Sequence, residues 1–199
     1  MITRKEMTRM LLKEGLLSWL ANNSFESVTV TSVCKASGIT RSTFYLHYSN
    51  IMEIVDDLVD DAIAYSKPGM VDNNNLQTIA NTLSAASNSV SLREAYDSIF
   101  DRLPLCQRII RHKKYLPLFL DEQISEYVLQ RIIGREKDRQ GLVIAESLGV
   151  SFDVGVSVFV FLVHGLYAVN KQYKWSQSDE WLEAQKIIFE LVYRGLQRR

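Results

Sequence analysis

Apolar residues recur at helical spacing along almost the whole chain, and no stretch alternates with the period of two that a half-buried strand needs. Leu12, Leu16, Trp19 and Leu20 mark one face of a first helix, expected from about Thr3 to Asn22. Asn22 and Asn23 are expected to turn the chain in left-handed geometry, after which Phe25 closes over a small core. Thr29 opens a second helix with Val30 and Val33 on its apolar side, and Gly38 ends it, because a left-handed residue costs glycine almost nothing. Thr40 caps a third helix whose Phe44 and Tyr48, at i and i+4, face inward. Arg41, Ser42, Tyr45 and His47 then point elsewhere.

Asn50 and Glu53 have the spacing of a capping box and start a fourth helix to about Tyr65, with Ile51, Ile54, Val55, Leu58, Val59 and Ile63 on its apolar side. Asp56, Asp57, Asp60 and Asp61 make its other face acidic, which reads as a solvated stripe and has no calcium-loop spacing. SKPGMVDNNN, Ser66 to Asn75, is the clearest break. Beyond it the pattern predicts a fifth helix over Leu76–Val90, a sixth over Ser91–Arg102 and a break near Pro104. A seventh starts at Pro117, which suits a first turn, and continues through Ile133 until GREKDRQG, Gly134 to Gly141, interrupts or bends it. An eighth is expected from Ser151 to Tyr173, and a ninth from Ser178 through Trp181, Ala184, Ile188, Leu191 and Val192. About nine helices and no strand make the chain all-α.

The formal net charge is zero, but it is unevenly divided. Residues 1–50 hold six Lys and Arg against three Glu, a balance of +3, which leaves −3 for the rest. The basic end is the end with the helix–glycine turn–helix pattern, as phosphate neutralisation requires. Cys34 and Cys106 lie far apart inside apparent helices and read as small buried hydrophobes of a reducing cytoplasm. MITRKEMTRM lacks the apolar core of a signal peptide. The apolar run Val154–Val169 spans sixteen residues, short of the roughly twenty that cross a bilayer. It is expected to be a helix buried on all sides, with no membrane partner.

Helix, glycine turn, helix is the arrangement whose second helix enters the DNA major groove. T-V-x-x-V-x-x-x-S-G-I-T-R-S-T-F-Y-L-H-Y, within a match from about Met10 to Val55, resembles the amino-terminal signature of TetR/AcrR-type transcriptional regulators. The resemblance implies a three-helix DNA-binding head over residues 1–49 and a helical effector-binding and dimerisation domain over 50–199. It implies that Thr40, Thr43, Tyr45 and His47 touch the DNA backbone while Arg41 and Ser42 approach base edges. Chemistry agrees, since Arg41 alone in this helix can pair in bidentate fashion with guanine O6 and N7, and a helix amino terminus at Thr40 attracts phosphate. Thr31 is a second candidate backbone anchor.

Two positions depart from the family pattern. Ser24 stands where glycine is usual. Ile51 stands where a lysine normally grips a phosphate, so binding is expected to lean on Arg4, Lys5 and Arg9 instead. The resemblance further implies a homodimer through the eighth and ninth helices, a palindromic double-stranded operator, and a pocket enclosed by helices 4 to 8. Tyr96, Phe100, Gln123, Tyr127, His164 and Tyr167 are the candidate lining for a small hydrophobic effector. Most members of the family repress.

The chain shows no Ser/His/Asp or Cys/His set, no phosphate-cradling glycine loop and no metal-ligand spacing. No enzyme activity, metal or cofactor is therefore expected. The competing reading is a TetR-like dimer acting as a co-activator or adaptor through a protein partner.

Overall fold

Side-chain caps mark where several helices of this chain begin. A computed structural model describes residues 3–65, 73–104, 107–108 and 113–196. Its helices are α1 (Arg4–Leu20), α2 (Val30–Ser37), α3 (Arg41–Tyr45), α4 (Ile51–Tyr65), α5 (Asn73–Ser84), α6 (Ser89–Ser98), α7 (Leu116–Leu120), α8 (Ser125–Leu148), α9 (Phe152–Gln172) and α10 (Asp179–Leu196), with 3-10 turns at Phe25–Ser27 and Phe100–Arg102. No strand occurs among the described residues, so the fold is all-α. Two compact units result, Met1–Tyr65 with His112–Ile132, and Ser66–Arg111 with Ile133–Arg199.

In the first unit α1 packs against α2, α4 and α7. Leu12, Leu16, Val33, Phe44, Ile54, Val55 and Leu58 are wholly buried and form its core. Thr3 and Glu6 cap α1 reciprocally, backbone to side chain in both directions. The turn after α1 is not left-handed at Asn22 or Asn23, because Lys174 and Trp175 are the only non-glycine residues of positive φ among those described. Asn23 instead donates its side-chain amide to the Trp19 carbonyl (2.9 Å), and Ser24 caps the 3-10 turn that follows. Asn50 accepts from the Glu53 amide, while the Glu53 carboxylate reaches one residue further back to the Ser49 amide (2.8 Å).

The second half departs from the expected breaks in three places, each for a capping or propensity reason. Asn88 and Ser91 form a reciprocal capping box, so α6 starts at Ser89 and the break falls at 85–88. Asp121 Oδ1 accepts from the amides of Gln123 and Ile124, which ends α7 and starts α8 separately. Gly134–Gly141 does not interrupt α8, which runs 24 residues to Leu148. Arg, Glu, Lys and Gln there are good helix formers, and two glycines at about 1 kcal/mol each do not outweigh them. Of the expected break Ser66–Asn75, residues 66–72 lie outside the described residues, as does Cys106, whereas Asn73–Asn75 already belong to α5. Cys34 is buried with its thiol free, and burial pushes that thiol up from its ordinary range.

In the second unit α10 packs on α5 and α6, with Trp181, Leu182, Gln185 and Phe189 buried along one side. A chain of buried polar groups runs through it. The Tyr96 hydroxyl donates to Gln107 Oε1 (3.2 Å), and Gln107 Nε2 donates to Gln185 Oε1 (2.9 Å). Trp181 Nε1 donates to Asn170 Oδ1 (3.0 Å). The helix over Phe152–Gln172 is not buried on all sides: only 22% of its most apolar stretch is buried, and Phe161 is 73% exposed. By length and composition alone it is also long and apolar enough to span a membrane.

Glycine matters where α8 meets α9. A Cβ on Gly155 would sit 2.2 Å from the Gly141 carbonyl oxygen, whereas one on Gly134 meets nothing. Gly155→Ala is therefore expected to destabilise by about 1–3 kcal/mol, and Gly134→Ala to stabilise by about 0.5–1 kcal/mol, in urea unfolding followed by circular dichroism. Equal shifts of the same sign would contradict this packing.

Candidate nucleic-acid interface

The helix-turn-helix is fastened at each of its turns. Thr29 Oγ1 accepts from the Ser32 amide (3.0 Å) while the Ser32 hydroxyl oxygen accepts from the Thr29 amide (2.9 Å), closing the start of α2. Gly38 ends it at φ 69°, and the Ile39 amide returns to the Cys34 carbonyl (3.0 Å). Thr40 Oγ1 accepts from the Thr43 amide (3.2 Å) to start α3, and the hydroxyls of Ser42 and Thr43 lie 3.0 and 2.9 Å from it.

Phe44 and Tyr48 turn inward, with Phe44 wholly buried and its ring edge-on to Tyr45 at 5.3 Å. The opposite side of α3 is open. Thr40, Arg41, Ser42 and Tyr45 are exposed, Thr43 and His47 are half-buried, and Thr31 is exposed on the first turn of α2. Of the seven residues read from the sequence, Thr31 lies on α2, Arg41, Ser42, Thr43 and Tyr45 on α3, and Thr40 at its cap. His47 falls in the turn beyond α3, which ends at Tyr45, and none of the seven is wholly buried. Leu46, absent from that set, is the most exposed of the large apolar side chains among the described residues, at 80%. Its position two residues after the buried Phe44 is the signal that could have marked it.

The cations of the head divide into engaged and free. Arg9 binds the Asp57 carboxylate through Nε (3.0 Å) and Nη2, and lies over the Tyr48 ring at 4.8 Å. It is therefore not available as the substitute phosphate grip expected in place of a lysine at Ile51. Donating to the Asp57 carboxylate holds the Arg9 guanidinium charged above its usual range. Lys13 pairs with Asp61, and Lys114 with Glu14. Among the described residues no carboxylate pairs with Arg41 or Lys35, both exposed.

Asp57 is the anchor that the sequence did not disclose. The acidic side of α4 is not a solvated stripe. Tyr48 donates its hydroxyl to Asp57 Oδ2 (2.6 Å), and burial, then that hydrogen bond, push the phenol well above the usual tyrosine range. The neighbouring Asp56 Oδ1 accepts from the Tyr127 hydroxyl (2.8 Å) and from Arg131 Nε (2.7 Å) of α8. The partners lie 9 to 75 positions away in sequence, so helical periodicity carries no trace of them.

The candidate effector residues fall in both units. Tyr96, Phe100, His164 and Tyr167 belong to the second, where Tyr96 is buried edge-on to Trp181 (5.2 Å) and Tyr167 against Trp175 (5.6 Å). Phe100 and His164 are half-buried there. Gln123 and Tyr127 belong to the first, where Gln123 donates to Glu26 (3.2 Å) and Tyr127 to Asp56.

Among solved structures, the chain is similar to the TetR family repressor AlkX of Dietzia sp. strain DQ12-45-1b, a protein implicated in n-alkane biodegradation. The two are 15% identical, the match covers 96% of this chain and 95% of that one, and the TM-score is 0.41. At that overlap the likeness carries no argument about site or function. No family model and no curated protein matches the chain.

The two-sidedness of α3 is measurable in stability. Phe44→Ala is expected to cost about 3–5 kcal/mol in urea unfolding, and Arg41→Ala less than about 0.5 kcal/mol. A large stability loss from Arg41→Ala would place that side chain inside rather than on the open face.

Proposed function

We propose that this chain is a sequence-specific, DNA-binding transcriptional regulator. The observation that carries the reading is the open side of α3: an exposed, unpaired guanidinium and a row of hydroxyls stand on the face opposite the buried Phe44. Such a face offers one bidentate reader of guanine and several neutral donors for phosphate oxygens. Arg41 and Ser42 approach base edges. Thr40, Thr43, Tyr45 and His47, with Thr31 of α2, hold the backbone. The free cations Arg41 and Lys35 supply the local positive charge, while Arg9 and Lys13 serve the fold.

The regulator works as a homodimer on a palindromic operator, each subunit presenting one α3 to a half-site. Support comes from the exposed apolar side chains Phe161 on α9 and Ile187 and Leu191 on α10, which a second copy would cover. It represses, and a small, largely hydrophobic effector releases it. Tyr96, Phe100, His164 and Tyr167 are its proposed neighbours, and the buried amides of Gln107, Gln185 and Asn170 give that half of the chain polar points within an apolar interior.

Selection from a random duplex pool is expected to enrich a two-fold-symmetric site with half-sites about 34–36 Å apart. On it, Arg41→Ala should cost about 1–3 kcal/mol and relax preference at one base pair per half-site, while Tyr45→Phe weakens every sequence alike. Fluorescence anisotropy distinguishes the two, and equal losses on all sequences would overturn the division of roles. A purified chain that binds no duplex would favour an adaptor working through a protein partner. Phe161→Glu combined with Leu191→Glu is expected to convert a dimer to a monomer in light scattering, and an unchanged mass would remove α9 and α10 from the interface.

A further inference from the structure

Two adjacent carboxylates on α4 hold different parts of the first unit. Asp57 faces α1 and the end of the DNA-reading helix, binding Arg9 and accepting the Tyr48 hydroxyl at 2.6 Å. Asp56 faces α8, accepting from Tyr127 at 2.8 Å and Arg131 at 2.7 Å, with the Arg131 guanidinium 6.0 Å from the Tyr127 ring centre. Consecutive residues on a helix diverge by about 100°, so one turn of α4 takes hold in two directions. The Asp57 and Asp56 carboxylates are 24% and 27% exposed. Hydrogen bonds to charged groups in such partly dry settings are among the stronger ones in a protein.

Tyr48 matters because α3 is only five residues long and is followed, after Tyr48, by two residues before α4. Apart from the packing of Phe44 and Tyr48, its hydroxyl ties this segment to α4, beside the Ser49 amide that donates to Glu53. On the other side, Tyr127 and Arg131 lie in the first two turns of α8, a helix that continues beyond Ile132 into the second unit. A shift of those two turns acts on Asp56, and the next residue along the chain is the one holding Tyr48.

We propose that Asp56 and Asp57 form a two-sided clamp in which Asp57 is the positioning residue for the DNA-reading helix and Asp56 is the point where α8 acts on it. The inference rests on the DNA-binding reading for its consequence, and on geometry alone for the linkage. Breaking the α8 side loosens α3, although neither Tyr127 nor Arg131 is among the residues assigned to DNA contact. The device needs no change in the fold of either helix, only in the hydrogen bonds that Asp56 keeps.

The test uses the full chain in Tyr48→Phe, Asp57→Asn, Tyr127→Phe and Arg131→Ala forms, plus the Tyr127→Phe/Tyr48→Phe pair, with circular dichroism fixing a temperature at which all are folded. Amide hydrogen exchange of residues 41–48 in the free protein is read first. Tyr127→Phe and Arg131→Ala are each expected to speed that exchange severalfold, and the Tyr127→Phe/Tyr48→Phe pair to fall short of the sum of its two single effects, because both cut one linkage. Affinity for the selected duplex is read second. Tyr48→Phe and Asp57→Asn are each expected to weaken it about tenfold on every sequence, Arg131→Ala less, with base preference kept. Exchange at 41–48 unchanged in both α8 variants, or fully additive effects, would overturn the clamp. If wild type bound no duplex while the exchange coupling held, the DNA-binding reading would fail and the linkage would stand.

Discussion

A helix of five residues has no stability of its own, since isolated helices are marginal below about 12–15 residues. α3 exists because its neighbours hold it: Thr40 closes its start, Phe44 is buried in the core of the first unit, and Tyr48 reaches the Asp57 carboxylate just beyond its end. Everything proposed for this chain depends on that constraint. A helix held by one face leaves the other free for a partner. Its pose is set by α1, α2 and α4 rather than by its own hydrogen bonds. On the proposed linkage, any force that moves Asp57 or the Phe44 pocket would move the exposed Thr40, Arg41, Ser42 and Tyr45 as well.

The same constraint explains the use of charge. Arg9 and Lys13 look from the sequence like part of a basic patch, yet both are committed to aspartates of α4. They fasten α1 to α4 and thereby frame α3. On the proposed DNA-binding reading, phosphate neutralisation then falls to the exposed Arg4, Lys5, Lys35 and Arg41, with Ile51 contributing none. On that reading, few charges per subunit would mean a shallow salt dependence and a modest affinity for each half-site, which the proposed pairing of two subunits would offset.

Helix identity and the turn were legible because they depend on local chemistry: Thr29, Gly38, Thr40 and Asn50 act on residues within four positions. The inward direction of Phe44 and Tyr48 followed from spacing alone. What stayed hidden was long-range or competitive. Nothing near Asp56 or Asp57 in sequence reports Tyr127, Arg131 or Arg9, so four aspartates on one helix read as a solvated face. Gly134 to Gly141 looked like a break because glycine and charge cluster there, but the summed helix preference of its Arg, Glu, Lys and Gln prevails. The apolar run in α9 looked like core because hydropathy cannot tell a buried side from one left open. The candidate effector residues were drawn from several helices, and chain order does not reveal that Gln123 and Tyr127 belong to the first unit.

The claim at the centre of this account is that the open side of α3 reads the major groove, and methylation interference on the selected duplex tests it most directly. Methyl groups at guanine N7 lie in the major groove, and those at adenine N3 lie in the minor groove. The account predicts that N7 methylation at one guanine in each half-site abolishes binding while N3 methylation leaves it intact. Interference confined to adenine N3, or none at any guanine, would contradict it.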